Sequence, residues 1–475
     1  MSSQETASRV SAFADDAMGS DDVTGLLARL ALREVSAAEL RAAAVERART
    51  ANEALNAVTT WVDAPVAPEG AAAADAPFAG IPTLVKDNED LAGYATSHGS
   101  RAIEDRPAAS HSPWVDQYLR LGFAPIAKTA LPEFGLTAST ESSRFGATRN
   151  PWDTGRSAGG SSGGSAALLA AGVVPIAHAN DGGGSIRIPA SCCGLVGLKP
   201  SRGRLVDRPE LARLPVALTT QGVLTRSVRD TARYYAEAER LHAAPGLPAI
   251  GHVKGPGGER LRVALVVDGL RGLPVESATV AAVREAGALL AGLGHHVEEA
   301  ELPVDDRFGT DFLRYWAFLS FALQNAGGYV LGAGFDRSRT ESLTQELSAM
   351  FGRGAFAHPG SLRRLRRMAR EHAAAFDTFD LVVSPVTGHP APPIGHLGPD
   401  VEARAHLVRL LRFASFTAVQ NISGAPAISL PLGRTGDGRP IGVQLAAPYG
   451  LERRLLEVAY EVEAAAPWPT DPAAV

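Results

Sequence analysis

Residues 155–172 read GRSAGGSSGGSAALLAAG, a glycine- and serine-rich run that meets an apolar, helix-forming run at Ala166. Gly/Ser composition by itself favours flexible coil. A helix beginning at its end changes that reading. Glycine turns that feed a helix N-terminus leave backbone N–H groups unpaired and able to face an anion or an oxyanion. Nucleotide phosphate is not the expected occupant, because a P-loop needs Gly-Lys-Ser/Thr and the segment holds no lysine. Two overlapping G-x-S-x-G matches, at 155–159 and 159–163, have the form of an α/β-hydrolase elbow. That elbow follows a buried strand, whereas the preceding RFGATRNPWDT is polar and turn-rich. The segment therefore demands a tightly folded loop in front of a buried helix.

Around this loop, helical and strand patterns alternate. Residues 23–33 and 37–51 carry apolar side chains at helical spacing, and Ser36 is placed to cap the second helix. A Pro/Ala/Gly connector, 64–76, precedes a strand at 81–85 that ends on Lys86. A helix at 114–121, a strand at 122–128, a helix at 166–172, a strand at 173–178 and a glycine turn at 181–185 follow. Strand 262–267, helix 278–290 and strand 296–299 form a βαβ-like pattern. Residues 305–376 read as mainly helical; then come strand 381–385, helix 413–421, strands 427–431 and 441–446, and a closing helix at 451–465. Alternation without repeats predicts an α/β protein with a large sheet. No linker is long or polar enough to divide it, so residues 1–475 are expected to form one domain. Its parts are N-terminal helices at about 20–60, a core at about 80–300, the helical region at about 305–376 and C-terminal strands and helix at about 380–465.

Composition narrows the function. With 45% hydrophobic residues over 475 positions, the chain can bury a large core. A net charge of -5 argues against a nucleic-acid or anionic-membrane binder. The N-terminus lacks a basic region followed by an apolar stretch, and the longest apolar run, 166–177, carries Gly172 and Pro175. The two cysteines, Cys192 and Cys193, are neighbours, which gives no disulfide framework and suits a reducing cytoplasm. Neither H-E-x-x-H nor paired CxxC occurs, so no metal or cofactor is expected. Four lysines, Lys86, Lys128, Lys199 and Lys254, stand against 42 arginines. Arginine stays charged in proteins, whereas lysine can be desolvated into a neutral base, so the four positions carry a flag.

A second glycine-rich segment, NDGGGSIRIPAS at 180–191, places three glycines before Ser185. Such a backbone either makes a plain turn or points several N–H groups at one spot beside the hydroxyl, as an oxyanion hole requires. A serine nucleophile also needs a base. His178 lies close in sequence without a spacing that links it, and no S-x-x-K occurs at any lysine. Lys86 ends an apolar strand; serving as a base near neutrality requires its pKa to fall roughly 3 units from about 10.4, close to 4 kcal/mol. The competing reading is a charged lysine paired with Asp87 or Asp90.

Taken together, these segments resemble the amidase signature family of serine hydrolases. The core is similar in 155–172 and 181–191, the lysine element in VKDNEDLAGYATSHGS (85–100), and the tail in CGLVGLKPSRGR (193–204), ISGAPAISLPLG (422–433) and GRPIGVQL (438–445). Ser161 and Ser185 stand 24 residues apart, as the family pattern has them. The resemblance implies an amidase signature fold with a large mixed central β-sheet sandwiched by helices. It implies amide hydrolysis by a Ser–cisSer–Lys triad: Ser185 as acyl-enzyme nucleophile, Ser161 as bridging serine on a cis peptide, Lys86 as base. Gly182, Gly183 and Gly184, with the Ser185 N–H, are then the oxyanion hole. Gly182 departs from the usual threonine, which removes a loop-ordering hydroxyl but no backbone donor. Within the family, GATRNPW (146–152) and NDGGGSIRIPAS are similar to 6-aminohexanoate cyclic-dimer hydrolases. The expected partner is a small amide, cyclic or linear, with no nucleic acid and no membrane; a homodimer stays open. An amidotransferase subunit, or an amide-forming acyltransferase using the same acyl-enzyme, is the alternative.

Other features have plainer readings. Phe312, Tyr315, Trp316, Phe318 and Phe321 either pack a core or line an acyl pocket. LRRLRRMAR (362–370) reads as an apolar stripe under a solvated arginine face. Cys192 and Cys193 read as small buried residues, and Asp181 with Arg187 as a brace for the nucleophile loop.

Overall fold

In the computed structural model the structure describes residues 8–69, 75–269, 272–301, 304, 306–332 and 334–475. The start of the N-terminal segment and the middle of the 64–76 connector lie outside the described residues.

The central sheet has eight strands in the order His296–Glu299, Arg262–Leu265, Leu381–Pro385, Pro440–Ala446, Ala427–Arg434, Val196–Lys199, Thr220–Thr225, Ile176–Asp181. The first three are parallel and the remaining pairings antiparallel, so the sheet is mixed. A three-stranded sheet, Val58–Trp61, Ala124–Thr129 and Pro82–Lys86, adjoins its edge. The junction carries no ladder bonds. Side chains make it instead: Thr83 Oγ1 donates to the Ile176 carbonyl (2.9 Å) and the Lys86 N–H donates to His178 Nδ1 (3.1 Å). Pairing backbone polar groups through side chains satisfies an otherwise exposed strand edge.

One hydrophobic core runs from Met18 to Val462 across both sheets and their covering helices. The helix Gly163–Ala170 is buried on every side, which suits an all-apolar sequence rather than an amphipathic one. It starts earlier than the apolar run suggests. A Cβ on Gly164 would lie 2.5 Å from the Ala130 backbone nitrogen, so glycine lets the first turn approach that strand end. Ser36 caps Ala37–Leu55 in a reciprocal box with Glu39, as its sequence predicts.

Three departures from the sequence reading matter for the site. The strand expected at 173–178 lies at Ile176–Asp181, because Pro175 lacks an N–H and the ladder begins after it. The helix expected at 413–421 lies at Ala418–Ser423, and a separate helix, Ala403–Phe413, ends where the expected one was to begin. That separate helix ends at Ala414 (φ -97°, ψ 40°), and Thr417, which precedes the other, donates its hydroxyl to the Gly183 carbonyl (2.6 Å). A short buried helix, Arg187–Cys193, follows Ser185 and accommodates Pro189 in its first turn.

Candidate active site

Lys86 is the last residue of Pro82–Lys86 and is fully buried. Its Nζ lies 2.8 Å from Ser161 Oγ and donates to Asn180 Oδ1 at 2.7 Å. Among the described residues no carboxylate stands within ion-pair distance of it. Burial pulls the amine down to about 7, against the opposing pull of Asp181 and Glu89. The ion pair weighed from sequence goes elsewhere: Asp87 pairs with Lys128 (2.8 Å) and Asp90 with Arg208 (3.0 Å).

Ser161 is buried, and the Gly160–Ser161 peptide bond is cis. The loop leading to it is held from below. Thr140 Oγ1 donates to the Gly159 carbonyl (2.9 Å) and accepts from the Gly163 N–H (3.0 Å).

Ser185 lies half-buried on the 182–186 loop and lines a cleft that also contains the Gly160 backbone. The loop is braced by Asp181 and Arg187, both fully buried, in a two-pronged pair of 2.9 and 3.0 Å. Burial works to raise the Asp181 pKa, but the charge and hydrogen bonds of Arg187 prevail and hold it at about 2. Arg187 also donates to Gln444 Oε1 and Asn421 Oδ1, both at 2.7 Å. This matches the bracing role read from sequence. Asp181 further accepts from the N–H groups of Gly184 (2.7 Å) and Ile186 (3.2 Å). Gly184 therefore departs from the oxyanion-hole expectation, since its donor is already engaged. Its glycine has another cause: φ is +135°, and a Cβ would lie 2.4 Å from Thr417 Oγ1. The N–H groups of Gly182, Gly183 and Ser185 make no hydrogen bond among the described residues.

The cleft, its open mouth included, has an empty volume of about 590 Å³. Its walls are apolar, with Phe312, Leu313 and Trp316 on one side and Leu407, Leu410 and Leu411 on the other. Phe312 and Trp316, one turn apart on the helix Phe308–Val330, stack at 5.5 Å and face Gly183. Tyr315 and Phe318 turn away. The Tyr315 hydroxyl donates to the Val216 carbonyl (2.7 Å), while Phe318 and Phe321 pack on Phe351. The cluster thus divides between the faces of the helix, with Phe312 and Trp316 on the cleft and Tyr315, Phe318 and Phe321 packed against neighbouring elements.

The remaining candidates fall where plainer readings put them. His178 is held neutral: burial takes it down to about 3, Nδ1 accepts from Lys86, and Nε2 faces Gln221 Oε1 at 3.0 Å. Cys192 and Cys193 are buried free thiols. Leu365 and Met368 are buried beneath exposed Arg363, Arg366 and Arg367. Sequence reasoning missed Asn180, whose only signal is its position two residues after His178 on one strand face. Among the described residues no group of three or more metal-ligating side chains is gathered, and no helix is long and apolar enough to cross a membrane.

A mixed α/β fold that sets a neutral-leaning lysine against one serine, with a second serine in an apolar cleft, has the make-up of an amide hydrolase acting on carbon–nitrogen bonds. The chain belongs to the amidase signature family, whose sequence pattern, described as Amidase, matches residues 39–456. It is 45% identical over 469 residues to a putative amidase AmiC of Mycobacterium leprae (strain TN), covering 97% of this chain and 98% of that one. It is 36% identical over 461 residues to a 6-aminohexanoate-cyclic-dimer hydrolase of Paenarthrobacter ureafaciens, with 92% of each covered. The solved structure of 6-aminohexanoate cyclic dimer hydrolase superposes with a TM-score of 0.83 at 31% identity, covering 94% of this chain and 97% of that chain. The large mixed sheet and the family resemblance read from the sequence are both borne out.

Proposed function

We propose that the chain hydrolyses small uncharged amides with an apolar acyl group, cyclic or linear, through an acyl-enzyme on Ser185. The Ser185 oxygen attacks the carbonyl carbon as its proton passes to Ser161, and the Ser161 proton passes to the Lys86 amine. The carbonyl oxygen becomes an oxyanion facing the N–H groups of Gly182, Gly183 and Ser185. When the C–N bond breaks, the proton on Lys86 returns through Ser161 to the leaving amine. Water then attacks the ester along the same relay and releases the acid.

The observation that carries this reading is the 2.8 Å contact between Ser161 Oγ and a fully buried lysine without a counter-ion. The acyl preference rests on the cleft, whose walls, among the described residues, hold no charged side chain to pair with a charged substrate. Similarity to proteins named as hydrolases of a cyclic amide dimer supports the substrate size.

The test is hydrolysis of hexanoyl p-nitroanilide and of its succinyl counterpart, with mass spectrometry of the quenched enzyme. The hexanoyl amide is expected to turn over and to leave a hexanoyl group on Ser185, absent in Ser185→Ala. Full activity in Ser185→Ala, or preference for the succinyl amide, overturns the proposal. If added amines capture every acyl group and no acid forms, amide synthesis replaces hydrolysis as the reaction.

A further inference from the structure

We propose that Asn180 is a positioning residue for proton transfer: its carboxamide oxygen fixes the rotation of the Lys86 amine so that the nitrogen lone pair faces the Ser161 hydroxyl. This rests on the relay of the preceding section.

Strand geometry places Asn180 for the task. Successive side chains of a strand alternate, so His178 and Asn180 share the face of Ile176–Asp181 that meets Lys86. His178 Nδ1 accepts the Lys86 backbone N–H, and Asn180 Oδ1 accepts from Nζ (2.7 Å). One strand thus holds the lysine at its root and at its tip. Asn180 is anchored in turn: its backbone pairs with Gln221 in the antiparallel ladder, and its carbonyl accepts from Ser162 Oγ (3.4 Å).

The chemistry follows from counting donors and lone pairs. A neutral amine has two N–H bonds and one lone pair. Among the described residues Nζ has two hydrogen-bonding partners, Asn180 Oδ1 and Ser161 Oγ. A carboxamide oxygen can only accept, so one N–H is committed to it. The hydroxyl of Ser161 can donate, and the lone pair is left to receive its proton. Once protonated, the ammonium keeps the same acceptor, which holds it in place until the proton returns.

That the acceptor is neutral also matters. The charged and titratable groups that face the amine are Asp181, Glu89 and His178. Asp181 is committed to Arg187, Glu89 accepts from Gln221, and His178 is neutral. A carboxylate at position 180 would stand in direct contact with Nζ and hold it protonated.

The experiment measures kcat/KM against pH for hexanoyl p-nitroanilide with the full chain and its Asn180→Asp, Asn180→Ala and Asn180→Thr variants, each checked by thermal melting. In Asn180→Asp the acidic limb is expected to move up by about 2 pH units, with much of the rate regained at high pH. In Asn180→Ala, kcat is expected to fall at least about tenfold while KM changes less than about threefold. Asn180→Thr, which keeps an oxygen acceptor, is expected to recover part of that loss. The limb shift reports contact between position 180 and Nζ, and the loss of kcat at little-changed KM, recovered by Thr, reports the positioning. An unmoved limb in a folded Asn180→Asp, or wild-type kcat in Asn180→Ala, overturns the inference. Should Asn180→Asp not fold, the Ala and Thr pair decides: equal kcat in the two overturns it, recovery by Thr upholds it. The relay itself is judged separately by Ser185→Ala and by the acyl group on Ser185, so a failure at Asn180 is distinct from a failure there.

Discussion

Two lysines near the C-terminal ends of neighbouring parallel strands, Lys86 the last residue of its strand and Lys128 the last but one, are both fully buried, yet their surroundings differ. Lys128, on Ala124–Thr129, donates to Asp87 Oδ1 (2.8 Å), the Ala95 carbonyl (2.6 Å) and Thr96 Oγ1 (2.7 Å). Three acceptors, one a carboxylate, satisfy an ammonium completely. Lys86, a single register step away, has a serine and an amide oxygen and no counter-ion. Asp87 opens the turn after Lys86, and its carboxylate serves Lys128 instead. Burial alone therefore does not fit a lysine to serve as a base; in the proposed relay it is burial without a counter-ion, against a hydroxyl, that fits Lys86 to the role.

The largest effect that separates the pair is replacement by arginine. Lys86→Arg places a permanent cation where the relay needs a free amine, and kcat/KM for hexanoyl p-nitroanilide is expected to fall about 10⁴-fold. A near-normal rate would end the distinction between the two lysines.

The next effect is on stability and belongs to Lys128. Asp87→Asn leaves a fully buried ammonium without its carboxylate and is expected to cost about 3–5 kcal/mol in urea unfolding. Adding Lys128→Met removes the stranded charge and is expected to restore most of that loss. No recovery in the double variant would mean that Asp87 acts through its contacts with Ser97 and the loop beyond rather than through the lysine.

The sequence carried this pair only in part. Lys86 stood out because it closes an apolar strand just before polar residues, and the serines because of their spacing. The large sheet followed from alternation. What stayed hidden has a local cause: beyond His178 the buried strand continues through Asn180 and Asp181 with polar side chains, where hydrophobic patterning ends it early. The polarity of these three is tolerated because each finds a partner across the fold, Lys86 for two of them and Arg187 for the third. The same holds for Gln221 and Thr225 of the buried strand Thr220–Thr225, which meet His178 and Thr231, and for Thr417, whose hydroxyl reaches the Gly183 carbonyl from the start of its helix. Long-range partners are invisible to local pattern.

A third buried lysine sharpens the comparison with the smallest effects. Burial, aided by Arg187, lowers Lys199 to about 7, the same value as Lys86. Its Nζ donates to the Pro200 carbonyl (2.7 Å) and meets no serine. An acidic limb near pH 7 thus has two candidate sources. Loss of the free amine on acidification lowers the rate, so kcat/KM is expected to rise with pH up to about 7 and then level, with about a hundredfold deficit at pH 5. If contact with the hydroxyl is what counts, Lys199→Met leaves that limb in place and changes kcat/KM less than about threefold, whereas Asn180→Asp moves it. A limb that shifts or vanishes in Lys199→Met would reassign the titration and separate a lowered pKa from the role given to Lys86. Lys254, exposed on a loop, supplies the baseline: Lys254→Arg is expected to leave both the melting temperature and the limb unchanged, because a solvated cation is the one kind of lysine that arginine replaces without loss.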